Sequence, residues 1–152
     1  MKSENTGRCD WFYLLLRILL GVIFIYAGCI KLFDPGAFAQ AVYNYKILPL
    51  FMVNPVAVIL PWIEVICGVF LIAGFLTRGS ALIIDCLLLI FVFALSFNLY
   101  RGLDISCGCF NLSPVGEKIT LFTLTRDAAL LIPGIWILVC KPEKWSLDNH
   151  LR

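Results

Sequence analysis

Residues 56–100 read VAVILPWIEVICGVFLIAGFLTRGSALIIDCLLLIFVFALSFNLY. Thr77-Arg78-Gly79 divides this run into two apolar stretches, about 56–76 and 80–100, and each contains one acid, Glu64 or Asp85. A helix needs about 20 apolar residues to cross the hydrocarbon core of a bilayer. Lipid offers the backbone no hydrogen-bond partner, so both stretches are expected to be helices despite their β-branched residues.

The same pattern recurs on either side of this run, at about 11–31 and about 119–140. Four such segments predict an all-α protein, an integral membrane four-helix bundle, with residues 1–152 as a single domain. Of the 152 residues 61% are hydrophobic and 14% charged, and the mean hydropathy is +0.94. A soluble domain of this size needs more polar surface than that, so the lipid bilayer is the expected solvent. A net charge of +2 without a basic block argues against nucleic acid as a partner. The first segment is too long for a cleaved signal, carries Arg17 and lacks a small-residue cleavage site.

Turn residues punctuate the chain: Asp34-Pro35-Gly36, Pro49, Asn54-Pro55, and Pro114-Val115-Gly116. Between the first two, Phe38 to Ile47 mixes apolar and polar residues and predicts a short interfacial helix in the first outer loop. Gly21-Val22 to Ala27-Gly28 and Gly68-Val69 to Ala73-Gly74 are read as close-packing surfaces. Lys2, Arg8, Arg78, Lys141, Lys144 and Arg152 fall on one side of the spans; Lys31, Lys46, Arg101 and Lys118 fall on the other. The bias predicts a multi-pass membrane protein with both termini on the inner, cytoplasmic side; the loop holding Cys107 and Cys109 then faces outward, which in a bacterium is the periplasm.

The chain has seven cysteines. Cys67, Cys86 and Cys140 lie in or at the end of spans, where thiols act as small hydrophobes; Cys9 falls on the inner side. Cys107-Gly108-Cys109 differs, because it sits in a polar loop after the third span. Cysteines at i and i+2 place their Cα atoms about 5.5–7 Å apart, the upper end of the disulfide range, so a bridge there is strained and easily reduced. Gly108 supplies backbone freedom, and Arg101 nearby favours a thiolate. This pattern points to a disulfide that is made and broken. A static bridge, two idle thiols and soft-metal ligation stay open, although the only histidine, His150, falls in the tail on the opposite side. No metal site is assigned. Cys29 is a further candidate thiol, with a structural role the simpler reading.

Charges inside the spans are the second signal, since they are costly in lipid and face the bundle interior. Arg17 and Asp85 share a depth and are expected to pair, as are Glu64 and Arg126, with Asp127 beside the latter. Lys31 is expected to snorkel to the outer interface. Glu64, Asn98, Arg101 and Arg126 are read as lining a polar cavity beneath Cys107 and Cys109, able to receive a quinone headgroup and to conduct protons. The same ion pairs could simply fix helix register.

Arg17 to Pro49 runs Arg…Leu-Gly…Ala-Gly…Lys-Leu…Pro…Tyr…Leu-Pro; the second span runs Pro61-Trp62-Ile63-Glu64…Gly68…Gly74…Thr77-Arg78. The third ends Asn98…Arg101-Gly102…Cys107-Gly108-Cys109-Phe110, and the fourth opens Thr125-Arg126-Asp127. Over about Phe12 to Cys140 these residues resemble the MauE-like family of the DoxX-like membrane protein superfamily. Cys-Gly-Cys-Phe is the most specific part, although Asn111 stands where glycine often follows in that family. The resemblance implies a four-helix bacterial inner-membrane protein that assists maturation of methylamine dehydrogenase, whose small subunit is rich in disulfides, beside a thioredoxin-like protein. In the wider superfamily it implies links to quinone-coupled sulfur oxidation.

Together these features predict a membrane thiol–disulfide oxidoreductase or electron conduit. Cys107 and Cys109 would exchange with a periplasmic thioredoxin-like protein or disulfide-rich client, and quinone is the expected electron partner. The rivals are a non-catalytic membrane assembly factor or subunit with a static disulfide, and a small-solute transporter. Oligomeric state is left open.

Overall fold

The computed structural model describes residues 3–102 and 121–139. Five helices follow one another: α1 (Ser3–Phe33), α2 (Pro35–Asn44), α3 (Leu50–Ala73), α4 (Thr77–Tyr100) and α5 (Leu121–Val139). Three are long and apolar enough to cross a membrane, namely Trp11–Phe33 of α1, Leu50–Ala73 and Thr77–Tyr100. At 24 residues, α3 and α4 are each about 36 Å long, more than the hydrocarbon core requires. The described part of the fourth expected span is the helix α5; residues 119, 120 and 140 lie outside the described residues.

α1 packs on α3 and α5, and α4 packs on the same two helices, closing a ring of four; α2 lies against α3 and α1. Tyr13, Leu20, Phe24, Cys67, Leu71, Ala81, Ile84, Leu88 and Ile137 make the main core. Trp11, Leu15, Val22, Val58, Trp62, Ile90 and Phe93 point outward, the inverse of a water-soluble surface and the arrangement a lipid-facing shell requires.

The α1–α3 contact depends on missing side chains. A Cβ on Gly68 would stand 2.8 Å from the Gly21 carbonyl oxygen and from Ile25 Cγ1, and one on Gly21 would meet Ile72 and the Gly68 carbonyl oxygen. Two bare backbones therefore touch, as membrane helices allow where small residues meet. α3 ends at Gly74, whose φ of 76° is left-handed and whose N–H donates to Phe70 O.

α2 occupies the expected first loop. Pro35 opens it and Asp34 caps it, the carboxylate accepting from the Ala37 N–H at 2.9 Å. Phe38 and Ala41 form its buried face. Two turns differ from expectation. The α3–α4 break falls at 74–76, so Thr77-Arg78-Gly79 opens α4 instead of preceding it, and α3 begins at Leu50, so Asn54-Pro55 lies inside it rather than before it. Proline removes one helical hydrogen bond there, while burial of Val53 and Ala57 on either side holds the turn.

Candidate functional site

The end of the bundle at which α4 finishes and α5 starts is also where α1 finishes. Lys31, in the last turn of α1, is 2% exposed. Its Nζ donates to both carboxylate oxygens of Glu64, at 2.6 and 2.8 Å, and Glu64 is 1% exposed. The ammonium also lies 5.2 Å from the ring centroid of Phe38 on α2 and 4.9 Å from that of Phe91 on α4. Two hydrogen bonds and two aromatic faces thus replace the water that the cation has lost.

α5 supplies the other half of the cluster. Asp127 is 2% exposed and accepts from Arg126 Nε at 3.1 Å, while the Arg126 side chain is 28% exposed. Two cations and two anions therefore sit at one end of the ring, brought by α1, α3 and α5. Lys31, Glu64 and Asp127 face a cavity of about 20 Å³ closed by Phe24, Leu88 and Phe91. That volume suits one water molecule, and three charged groups around it supply the polar partners a buried water needs.

Asn98, 0% exposed, donates from Nδ2 to Ala94 O at 2.8 Å, and its Oδ1 has no hydrogen-bond partner. Arg101 caps α4, is exposed, and lays its guanidinium 5.4 Å from the Phe97 ring centroid. Beyond Phe38 and Phe91 lies a second space, an apolar cleft of about 140 Å³ bounded also by Val42, Tyr45, Leu60 and Ala94. Burial pushes the Tyr45 phenol above its ordinary range, and Asp127 adds to the shift.

Two expected ion pairs are replaced. Glu64 bonds Lys31 and not Arg126, which turns to its neighbour Asp127. Glu64 does share a level with Asp127, since both line one cavity, but the last turn of α1 brings Lys31 to that level as well. Lys31 correspondingly does not snorkel, because α2 folds over it. The expected Arg17–Asp85 pair is not formed either. Arg17 Nη2 donates to Ile72 O at 3.4 Å, and neither oxygen of Asp85 has a hydrogen-bond partner. The signal for Lys31 was available in Asp34-Pro35, which starts a helix at once and leaves the last turn of α1 no open water above it.

Cys107 and Cys109 lie outside the described residues, as does Cys140. Cys29 is half-buried, Cys67 buried and Cys86 exposed on the outer surface, all as free thiols. Among the described residues, no three metal-binding side chains come together. Of the expected cavity residues, Glu64 reaches the water-sized cavity, Arg126 touches it through Asp127, and Asn98 and Arg101 lie nearer the end of α4.

No solved structure matches the chain. Among curated proteins it is 33% identical over 121 residues to a methylamine utilization protein MauE of Methylophilus methylotrophus, covering 79% of this chain and 64% of that protein. It is 38% identical over 120 residues to the MauE of Paracoccus denitrificans, covering 76% of this chain and 64% of the relative. It is 27% identical over 137 residues to that of Methylorubrum extorquens, covering 88% and 73%. The chain thus matches just under two thirds of the length of the first two relatives. The family model described as methylamine utilisation protein MauE matches residues 9–140, and with that span, nearly the whole chain, the protein belongs to the MauE family.

Proposed function

We propose that the chain is a bacterial inner-membrane component of methylamine utilisation that exchanges thiols and disulfides with a periplasmic partner through Cys107 and Cys109. The relatives' names supply the pathway. The observation that carries the chemistry is the buried Lys31–Glu64 pair, with Asp127 facing the same water-sized cavity, at the end of the ring that residues 103–120 connect. Thiol–disulfide exchange releases and consumes protons, and this cluster is a store of exchangeable ones at that end.

In the exchange, a thiolate of the partner attacks one sulfur of the Cys107–Cys109 disulfide and forms a mixed disulfide. The partner's second thiolate then attacks its own sulfur in that bond. The partner leaves oxidised by two electrons, and Cys107 and Cys109 leave as a dithiol. Run backwards, the same steps reduce the partner. A quinone, when bound, would accept two electrons and two protons. Its ring does not fit the 20 Å³ cavity. The apolar cleft beside it, about 140 Å³, is close to the roughly 150 Å³ that takes a benzene ring in an engineered cavity. Phe38 and Phe91 would separate such a ring from Lys31, with Tyr45 on its edge.

The test is the redox state of the partner in cells. Cys107→Ser or Cys109→Ser is expected to trap or abolish exchange, and the double variant to leave the partner unoxidised. Full partner oxidation by the double variant refutes the mechanism. One observation favours the non-catalytic alternative, a membrane assembly factor: Lys31 and Glu64 satisfy one another, as a pair that only fixes register would. In that case the Cys107–Cys109 bridge resists mild dithiol reductant, whereas a working bridge cycles.

A further inference from the structure

Asp85 lies in α4 on the buried face formed with Thr77, Ser80, Ala81, Ile84 and Leu88. It is 6% exposed, and neither carboxyl oxygen has a hydrogen-bond partner. Its carboxyl rests against the backbone of α5: a Cβ added to Gly134 would fall on Asp85 Oδ1. Leu88, one turn further along α4, lines the Lys31–Glu64 cavity, so a leucine layer separates Asp85 from that cluster. On its other side, Thr77 and Ser80 are 4% and 3% exposed and lead back to the start of α4.

We propose that Asp85 is a second, independent proton-binding site of the bundle, reached from the α3–α4 turn past the buried hydroxyls of Thr77 and Ser80. An unpaired carboxylate in a lipid-spanning bundle is far costlier than the neutral acid, so the group keeps its proton in the state described. The surrounding elements offer no substitute. α1 brings Tyr13 and Arg17, and Arg17 lies against Gly74 and donates to Ile72 O. α3 brings Cys67; α4 itself carries Cys86, which points outward, and Arg78, which donates to Leu138 O. The titratable groups of α5 among the described residues, Arg126 and Asp127, lie two turns from Gly134 at the other site.

Loss of the proton delivers one H⁺ to water at the α3–α4 end and leaves a carboxylate pressed on the α5 backbone at Pro133-Gly134. Pro133 has already removed one helical hydrogen bond there. Ionisation therefore loosens α5, the helix that carries Arg126 and Asp127.

The test uses the full chain in lipid nanodiscs and depends on none of the cysteines, so it stands apart from the redox reading. Infrared spectra at pH 5 are expected to show a protonated-carboxyl band that Asp85→Asn lacks. As pH rises, that band is lost from the parent protein while amide exchange across 128–139 increases; in Asp85→Asn the exchange stays flat. Identical carboxyl bands in both proteins, or equal exchange in both, overturn the proposal. Thr77→Val/Ser80→Ala keeps Asp85 and covers the case in which Asp85→Asn does not fold. It is expected to slow the response of the band to a pH jump, and an unchanged rate overturns the route.

Discussion

Replacing Lys31 with Met keeps most of the side-chain volume and removes the charge. Glu64 is then left 1% exposed with neither of its hydrogen bonds from Nζ. Breaking one side of a buried ion pair costs about 3–5 kcal/mol, because the remaining charge is stranded. For a chain of this size about 1 kcal/mol corresponds to about 2–4 °C, so the expected fall in apparent Tm is about 6–20 °C. Glu64→Leu strands the ammonium and should cost a similar amount. The double variant Lys31→Met/Glu64→Leu strands neither, and apolar replacement of a whole buried pair is often neutral or stabilising. The assay is a double-mutant cycle read by thermal unfolding in nanodiscs. Recovery of most of the loss in the double variant is expected. If the two single losses simply add, Lys31 and Glu64 do not meet and the cluster is wrongly built.

Gly68→Leu drives a side chain into Gly21 O and Ile25; overpacking of about 1–3 kcal/mol should appear as a lower Tm and a weakened α1–α3 contact. Gly74→Ala forces a Cβ into a left-handed conformation beside Arg17, at a cost of about 1–2 kcal/mol, measured in the same way. Asn98→Leu removes an orphaned acceptor along with one local bond. It is expected to change stability by less than about 1 kcal/mol, so a fall in partner oxidation would be functional. Tyr45 has a raised phenol pKa in the folded state, so the folded state favours the protonated form. Its stabilising contribution is complete below the unfolded value of about 10 and is lost as pH rises from there towards the folded value. The gap in Tm between the parent protein and Tyr45→Phe should therefore narrow above about pH 10.

The spans were legible because lipid imposes one rule on every residue between 56 and 100. A run that is apolar on all sides has no other solution, although its break falls at 74–76 and the expected turn Thr77-Arg78-Gly79 is already helix. α2 was also legible, from the mixed character of Phe38 to Ile47. Glu64, Asp85 and Arg126 were recognisable as buried charges for the same reason. Their partners were not, since several charges share one depth and the helix packing decides which of them meet. Pro55 looked like a boundary, yet α3 runs through it to Leu50. Glu64 and Asp127 nevertheless share a depth, lining one cavity, and it is Lys31 that takes Glu64 while Arg126 takes Asp127. The sign of Lys31's burial lay outside its own segment, in Asp34-Pro35, which starts α2 at once. Its enclosure comes from α2, whose Phe38 roofs it, and a roof built by a separate helix is invisible to a reading made one segment at a time.

The enclosure of Lys31 also sets an order of events during biosynthesis. When α1 enters the bilayer, Lys31 has no counter-charge, because Glu64 follows only in α3. Lys31 stands in the last turn of α1, so until its partner arrives its ammonium must reach up to the headgroup level, which keeps that end of α1 at the bilayer surface. Once residues up to Glu64 have emerged, Lys31 can be drawn down onto its carboxylate and α1 and α3 can pair, with α2 folding over the join. Nascent chains cut short before Glu64 should cross-link to the insertase through α1, and chains extended past it should be released. The pair that closes the finished bundle would thus serve earlier as a checkpoint, coupling departure of the first helix to arrival of the third.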